Sequence, residues 1–495
     1  MPAARLPFLF ILLIFTSTAV YGAFLVGTGE NSVAVNAQSH ILFASEQDEF
    51  NPSAAPINQL LHEGNVRGEY RSYSLGITFS NSLMPTDSGN LTNPFVLEKK
   101  SLEGRNNQVA WVVGDSHQEL GKGIALSLYS DSAFGINNTL EGASVSYVPP
   151  GTKVQLFAGR VNALEIPVAI NPTANTLGDR NLWLGGVDAE KKVTKETTLG
   201  THYLLALNQP NGEDFDRRWH TFGARMSRSG LMDGWDLYLE SNLLLTQRLG
   251  ENEEDLPNGY GTYAAISYFP MPWLWKLEVK DYRNYRFEFR RPPTLEEDIV
   301  ETLNTQDISA ARVSAERRFV GTKTSVEAAF LAGEDRVKES PVNHGVLGVK
   351  FAGPLSGSIE VRSGYRWLPG KENLAHASLK TEWRTFKGQS LELGALKQIR
   401  NTNLDSIPTR QDRNLLSMTY NFSSDFNLSL GYEYTPTNDL ELGQHFGNLG
   451  ASYTTGAFVS KAFIGKTNGG TQCSGGVCRQ VPPFTGGMVE STYSF

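Results

Sequence analysis

Asp115, Ser116 and His117 bring an acid, a nucleophile and a base side by side, the residue types that nucleophilic hydrolysis uses. Their adjacency argues against that use, because successive side chains of an extended strand point to opposite faces. The stretch reads instead as a polar lead into Gly121, Lys122 and Gly123, with Asp115 and the glycines shaping a turn or a lumen-entering segment. The other histidines, His40, His62, His202, His220, His344, His376 and His445, are scattered without ligand spacing. The acidic runs at 251–255 and 296–301 would hold a calcium ion only if several carboxylates converged, and solvated loop charge is the simpler reading. The expectation is therefore no metal, no cofactor and no enzyme.

Two cysteines remain, Cys473 and Cys478, in a stretch rich in Gly, Thr and Gln. A zinc site needs more ligands than this segment offers, and the haem attachment spacing is missing. In an exported chain a local disulfide is the expected pairing.

Export itself is read from the N-terminus. Arg5 precedes an apolar run at 6–15, and 16–22 is mostly small residues, so cleavage after Gly22 or Ala23 fits a signal peptide over 1–22. No later stretch reaches the ~18 apolar residues of a transmembrane helix. Net charge is −8, which excludes a nucleic-acid binder of the basic-patch kind.

What positions these residues is a repeated hairpin. In 414–434 Leu416, Met418, Tyr420 and Phe422 share one parity, and after a tight turn Phe426, Leu428, Leu430, Tyr432 and Tyr434 share another. Period-two alternation marks a strand with one apolar and one polar face. Similar hairpins recur from about Gly68 to Phe495, with a wall strand over 121–129 and with tight turns alternating with long polar connections such as 81–106 and 400–410, which is the outer-membrane pattern. Hydrophobic content of 40% with mean hydropathy of −0.29 suits a wall in which every second residue meets lipid. The expected fold is all-β, a single transmembrane antiparallel barrel of about 22 strands, in a range of roughly 18–24. Its turns are short and periplasmic, and its long loops extracellular. The expected organisation is signal peptide 1–22, a periplasmic or lumen segment 23–67, and the barrel 68–495.

Parity also assigns faces. Ile359, Val361, Tyr365 and Trp367 face lipid, with Ser358, Glu360, Arg362 and Arg366 facing the lumen. A wall strand over 272–290 turns Tyr285, Phe287 and Phe289 outward and Arg286, Glu288 and Arg290 inward. Its neighbour over 307–319 turns Val313, Ala315 and Phe319 outward and Arg312, Glu316 and Arg318 inward. The arginines make a locally positive wall unless the glutamates neutralise them in a ladder. Arg283 and Arg317 fall on the lipid parity, where they would have to snorkel. The closing strand, with Val489, Tyr493 and Phe495 on one parity, has the form read by the outer-membrane assembly machinery.

The run from Val113 to Tyr147 holds VGDSHQELGKGIALSLYSD and AFGINNTLEGASVSY, and 259–295 holds GYGTYAAISYF, LEVKDYRNYRF and RPPTL. These stretches are similar to an uncharacterised family of large bacterial outer-membrane barrels, best over about 70–300. The resemblance implies an outer-membrane barrel and adds no known ligand.

The reading that follows is a Gram-negative outer-membrane, porin-like channel or conduit for small polar solutes, anionic ones if the arginine wall stands unneutralised. The alternative is a non-conducting structural or assembly barrel, a sleeve for a periplasmic or surface partner. Expected partners are outer-membrane lipid and lipopolysaccharide and the assembly machinery, with no nucleic acid. The available fillings are 23–67 and inward-folded loops.

Overall fold

A computed structural model describes residues 24–26, 33–46, 57–85, 91–92, 95–131, 136–165, 180–210, 217–248, 257–285, 287, 289–293, 295, 307–337, 339–353, 356–385, 388–404, 407–436, 444–468, 470–474, 477–481 and 484–494. The signal-peptide reading of 1–22 and the terminal Phe495 lie outside these residues.

A transmembrane antiparallel β-barrel of twenty-four strands is built by the described residues. The first six strands are β1 (Val33–Glu46), β2 (Ile57–Tyr70), β3 (Tyr73–Pro85), β4 (Phe95–Arg105), β5 (Val109–Ser116) and β6 (Ile136–Tyr147). Next come β7 (Thr152–Glu165), β8 (Arg180–Lys192), β9 (Thr197–Pro210), β10 (Arg217–Ser229), β11 (Trp235–Arg248) and β12 (Gly259–Tyr268). The third quarter is β13 (Trp273–Arg283), β14 (Ile308–Phe319), β15 (Thr324–Asp335), β16 (Ser340–Ala352), β17 (Ser358–Leu368) and β18 (Glu372–Arg384). The last is β19 (Ser390–Leu404), β20 (Ile407–Asn421), β21 (Phe426–Thr435), β22 (Gln444–Thr455), β23 (Phe458–Thr467) and β24 (Phe484–Ser494). Each strand pairs with its chain neighbour, and β1 pairs with β24, Phe43 opposite Val489, to close the wall.

The number falls within the expected range, but three strands are new and one is lost. The stretch 23–67 is not a periplasmic or lumen segment: most of it is β1 and β2, and its lumen acids and histidine tie the seam. His40 bridges Glu63 at 3.0 Å and Glu490 of β24 at 3.2 Å. Weak alternation hid these strands, since Ile41, Leu42 and Phe43 are apolar on both parities. β4 was concealed by Lys99 and Lys100 and by a register shift at Thr78/Phe79. The stretch 121–129, by contrast, is no wall strand at all; it folds into the lumen.

Outward parity is carried by exposed Leu156, Trp183, Phe222, Leu243, Val313, Leu347, Leu416 and Ile464. Val361, Tyr365 and Trp367 are exposed while Arg366 is buried on the inner side, as parity required. A charge on the lipid face at mid-membrane would cost about 2–4 kcal/mol. Arg317, on that face, lies instead at the rim, with its guanidinium 5.1 Å from the Trp273 ring and 4.6 Å from that of Phe319. Short turns such as Arg71-Ser72 and 423–425 lie at one end, and connections such as 117–135, 166–179 and 284–307 at the other. The connections 369–371 and 405–406 at the long-loop end are short as well, although 400–410 reads from sequence as a long gap.

With Cys473→Ser and Cys478→Ser as background, Lys371→Cys should react on intact cells with a membrane-impermeant thiol reagent, and Ser424→Cys should not. The opposite pattern would invert the barrel.

Candidate functional site

The lumen is filled on one side by two connections that fold inward. The first, 117–131, carries a short antiparallel ribbon, Gln118–Leu120 against Leu126–Leu128. The second follows β13, where Asn284 at φ +47 turns the chain away from the wall. The two segments are joined by main-chain hydrogen bonds: Ser127 N–H donates to Phe289 O at 2.9 Å, and Arg291 N–H to Gly123 O at 2.9 Å.

Beneath them the wall is apolar on its inner face too. Leu140, Phe157, Leu182, Leu184, Leu204 and Ala206 form one buried cluster with Leu120, Leu126, Leu128, Phe287 and Phe289. Leu244, Tyr263, Tyr282, Ile308, Leu331, Val342 and Leu368 form a second with Ile124, Tyr285 and Leu295. Burying a Leu or Phe contributes about 1.5–3 kcal/mol. The plug side chains alone therefore hold on the order of 10 kcal/mol, comparable with the stability of a whole domain. The filling is packed as a core, with its apolar side chains buried among those of the wall.

A polar chain anchors the plug tip. Arg225 of β10 holds Asp188 at 2.7 Å and Glu190 at 2.7 Å, both on β8. Its Nη1 donates to His202 Nδ1 at 3.1 Å. His202 Nε2 then donates to Asn242 Oδ1 at 2.6 Å, and Asn242 Nδ2 to Glu240 Oε1 at 3.0 Å; the tautomer follows from these partners. Glu240 accepts in turn from the Lys122 backbone N–H at 2.8 Å and from the Tyr238 hydroxyl. Gly121, at φ +61, lies so close that a Cβ would collide with the Glu240 carboxylate. Gly123, at φ +73, leaves no room for a Cβ beside the Arg291 carbonyl. The lumen-entering reading of Gly121 and Gly123 thus has its geometry.

Asp115 is spent on structure, accepting from the Lys100 N–H at 2.9 Å and the Thr139 hydroxyl at 2.8 Å. Ser116 accepts from the Gln118 side chain at 2.7 Å.

The arginine wall is rearranged. β13 ends at Arg283, so Tyr285, Phe287 and Phe289 are not lipid-facing; they are buried in the plug. Their alternation was real, but parity cannot tell lipid from an apolar inner wall. Arg286 and Glu288 lie outside the described residues. Arg290 is in the plug, donating from Nε to Phe287 O at 2.9 Å, with its guanidinium 5.0 Å from the Tyr285 ring. Arg312, Glu316 and Arg318 do stand on the inner parity of β14, among acids. Glu327 lies 3.8 Å from Arg312 and 3.1 Å from Arg362, and Arg318 holds Glu316 at 2.8 Å. Glu360 lies in register between Lys350 and Lys380. This is a charge ladder.

Away from the plug the inner face is polar. Lys380, Glu392, Ser417 and Lys461 face the lumen on β18, β19, β20 and β23 and are exposed. The sequence did signal the difference. LWL at 182–184, YLLAL at 203–207 and LLL at 243–245 are unbroken apolar runs, the mark of strands buried on both faces. Cys473 and Cys478 stand in register in the ribbon Gly470–Ser474/Val477–Val481; their side chains lie outside the described residues. Val489 and Tyr493 lie on β24, in register with Phe43 and Phe458.

Fold and lumen define a membrane barrel with a partly filled interior. A family model described as "Family of unknown function (DUF6029)" matches residues 378–495, the last quarter of the wall and not the 70–300 region where the motifs are most similar. Among solved structures, the P pilus usher (PapC) translocation pore aligns at 10% identity and TM-score 0.45, over 93% of this chain and 99% of that one. OpdQ of Pseudomonas aeruginosa aligns at 10% and 0.40, over 74% and 99%. OccAB3 of Acinetobacter baumannii aligns at 8% and 0.37, over 68% and 94%. Identities this low speak of architecture alone. No curated protein matches the chain in sequence.

Phe289→Ala should destabilise the plug by about 3–5 kcal/mol, and Gly121→Val should free its tip. Both should lower the temperature at which the barrel loses its heat-modifiable gel shift. An unchanged transition would mean that the plug contributes nothing to the wall. Intact mass of envelope-derived protein should show Cys473 and Cys478 two hydrogens short of the dithiol form. Two free thiols would refute that pairing.

Proposed function

We propose that this protein is an outer-membrane, porin-like channel that passes small polar solutes along the unfilled side of its lumen. The observation that carries the reading is the division of the inner wall. Apolar side chains on the inner face from β6 to β17 pack against the plug, while exposed Lys380, Glu392, Ser417 and Lys461 on β18, β19, β20 and β23 line a polar face beyond them. A barrel of this circumference holds either water or a filling, and among the described residues the filling occupies one side. The neighbouring barrel structures are those of a translocation pore and of outer-membrane proteins, in keeping with this reading.

The ladder bears on selectivity. With Arg312, Arg318 and Arg362 each beside a glutamate, a strongly anion-selective wall is not favoured, and weak ion preference is the better reading. A sleeve around a partner would call for an inner surface that the plug leaves free for docking. The exposed inner face is instead charged and hydroxylic, which suits water.

Purified protein in a planar bilayer should give stable conductance steps, larger in Gly121→Val than in wild type. Silence from both proteins would favour the sleeve. In a salt gradient the reversal potential should lie near zero and barely move in Arg312→Ala. A large anion-selective potential that Arg312→Ala abolishes would restore the positive wall.

A further inference from the structure

The turns at the periplasmic rim are not alike, and their difference is ordered around the barrel. Five consecutive turns, those joining β6–β7, β8–β9, β10–β11, β12–β13 and β14–β15, each present a large apolar residue to solvent: Val148, Val193, Met232, Met271 and Val320. Met232 is 61% exposed, Val320 75% and Met271 81%. Around the seam, the turns Gly456-Ala457, Arg71-Ser72 and Asn106-Asn107-Gln108 are small or polar, and 422–425 carries one exposed apolar residue, Phe422. An isolated exposed apolar residue needs no explanation, but a contiguous series marks an interaction surface.

We infer that this arc of turns is embedded in the headgroup layer of the periplasmic leaflet, so that the barrel sits deeper in the membrane on its plug-filled side. The occupant is chosen by what lies beside the tips. Directly above them runs the lipid-facing aromatic girdle. Trp235 stacks on Tyr268 at 4.3 Å, and Trp273 on Trp275 at 5.5 Å. Rings of this kind settle at the headgroup level. Met271 precedes Trp273 by two residues and Val320 follows Phe319 directly. At about 3.3 Å per residue the tips therefore continue the lipid surface by less than the depth of a headgroup layer. The charges fit as well. Lys191, Lys195, Arg228, Arg317 and Lys323 surround the tips on the outward face or in the turns, against Glu196 and Asp233. Cations among apolar tips complement a phosphate-bearing interface. A water-soluble partner would require no continuity with the girdle.

The test is a depth measurement in vesicles of phosphatidylethanolamine with phosphatidylglycerol, on full-length protein in a Cys473→Ser, Cys478→Ser background. A fluorophore is attached at Val193→Cys, Met232→Cys or Val320→Cys, and at Ser424→Cys or Asn107→Cys. A quencher on the lipid headgroup should act severalfold more strongly on the first three, and aqueous iodide more strongly on the last two. The triple variant Met232→Asp, Met271→Asp, Val320→Asp should bring the label at Val193→Cys to the values of the opposite arc, while retaining the heat-modifiable gel shift of a folded barrel. Equal quenching on both arcs would overturn the inference. So would apolar tips open to iodide in lipid alone and shielded only when periplasmic extract is added, which would assign the arc to a protein partner.

Discussion

Every main-chain N–H and C=O that enters hydrocarbon must find a partner within the protein, because lipid offers none. That constraint dictates closure, and closure dictates that the chain's first strand meets its last. The seam between β1 and β24 is therefore the condition on which the other twenty-three pairings stand. Its inner face is reinforced where it is most vulnerable: His40 reaches both Glu63 and Glu490, and Lys461 lies 3.7 Å from Glu490. An ion pair exposed to bulk water contributes little. His40, Glu63 and Glu490 are half-buried, and with the exposed Lys461 the group spans four adjacent strands, which favours one register over its neighbours.

A closed wall of this size creates a second problem, its interior. Large barrels fill it with water or with protein, and the described residues of this chain put protein on one side and exposed polar side chains on the other. The inner face from β6 to β17 carries apolar side chains that the plug keeps from water, and the plug is held there by many small contributions. The buried chain from Arg225 through His202 and Asn242 to Glu240 adds position more than energy. Breaking a buried network costs more than forming it returns, so its value lies in fixing where the plug tip stops. Gly121 and Gly123 follow from that location, because only glycine tolerates both the left-handed backbone and the close approach.

How much of this was legible depends on what alternation can encode. Period-two patterning reports that one face is apolar and is silent about what covers it. It therefore identified the barrel and the lipid faces of β17 and β20 directly. It misassigned Tyr285, Phe287 and Phe289 because an apolar inner wall satisfies them as well as lipid does. It missed β1 and β4 where Leu42 or Lys99 and Lys100 interrupt the alternation, and it placed 121–129 in the wall because Ile124, Leu126 and Leu128 share a parity. The plug was nonetheless written in the sequence, in glycines that a wall strand does not need and in the three unbroken apolar runs. Those runs violate the barrel pattern, and the violation is the signal. The anchoring network was not legible, since Asp188, His202, Arg225 and Glu240 are brought together by register across four strands.

The two asymmetries of the molecule share one arc. β6 to β15 carry lipid on the outside, plug contacts on the inside and apolar tips at the rim, and the plug contacts continue to β17; from β18 to β23 the described inner face carries exposed polar side chains. That side keeps an aqueous inner face, where Ser417, Thr419, Ser429 and Asn448 can exchange partners with water or solute. Conduction through such a barrel would then depend least on the plug itself and most on the wall that faces it. The plug's contribution is to narrow a wide lumen to a passage bounded on one side by fixed protein and on the other by polar strand.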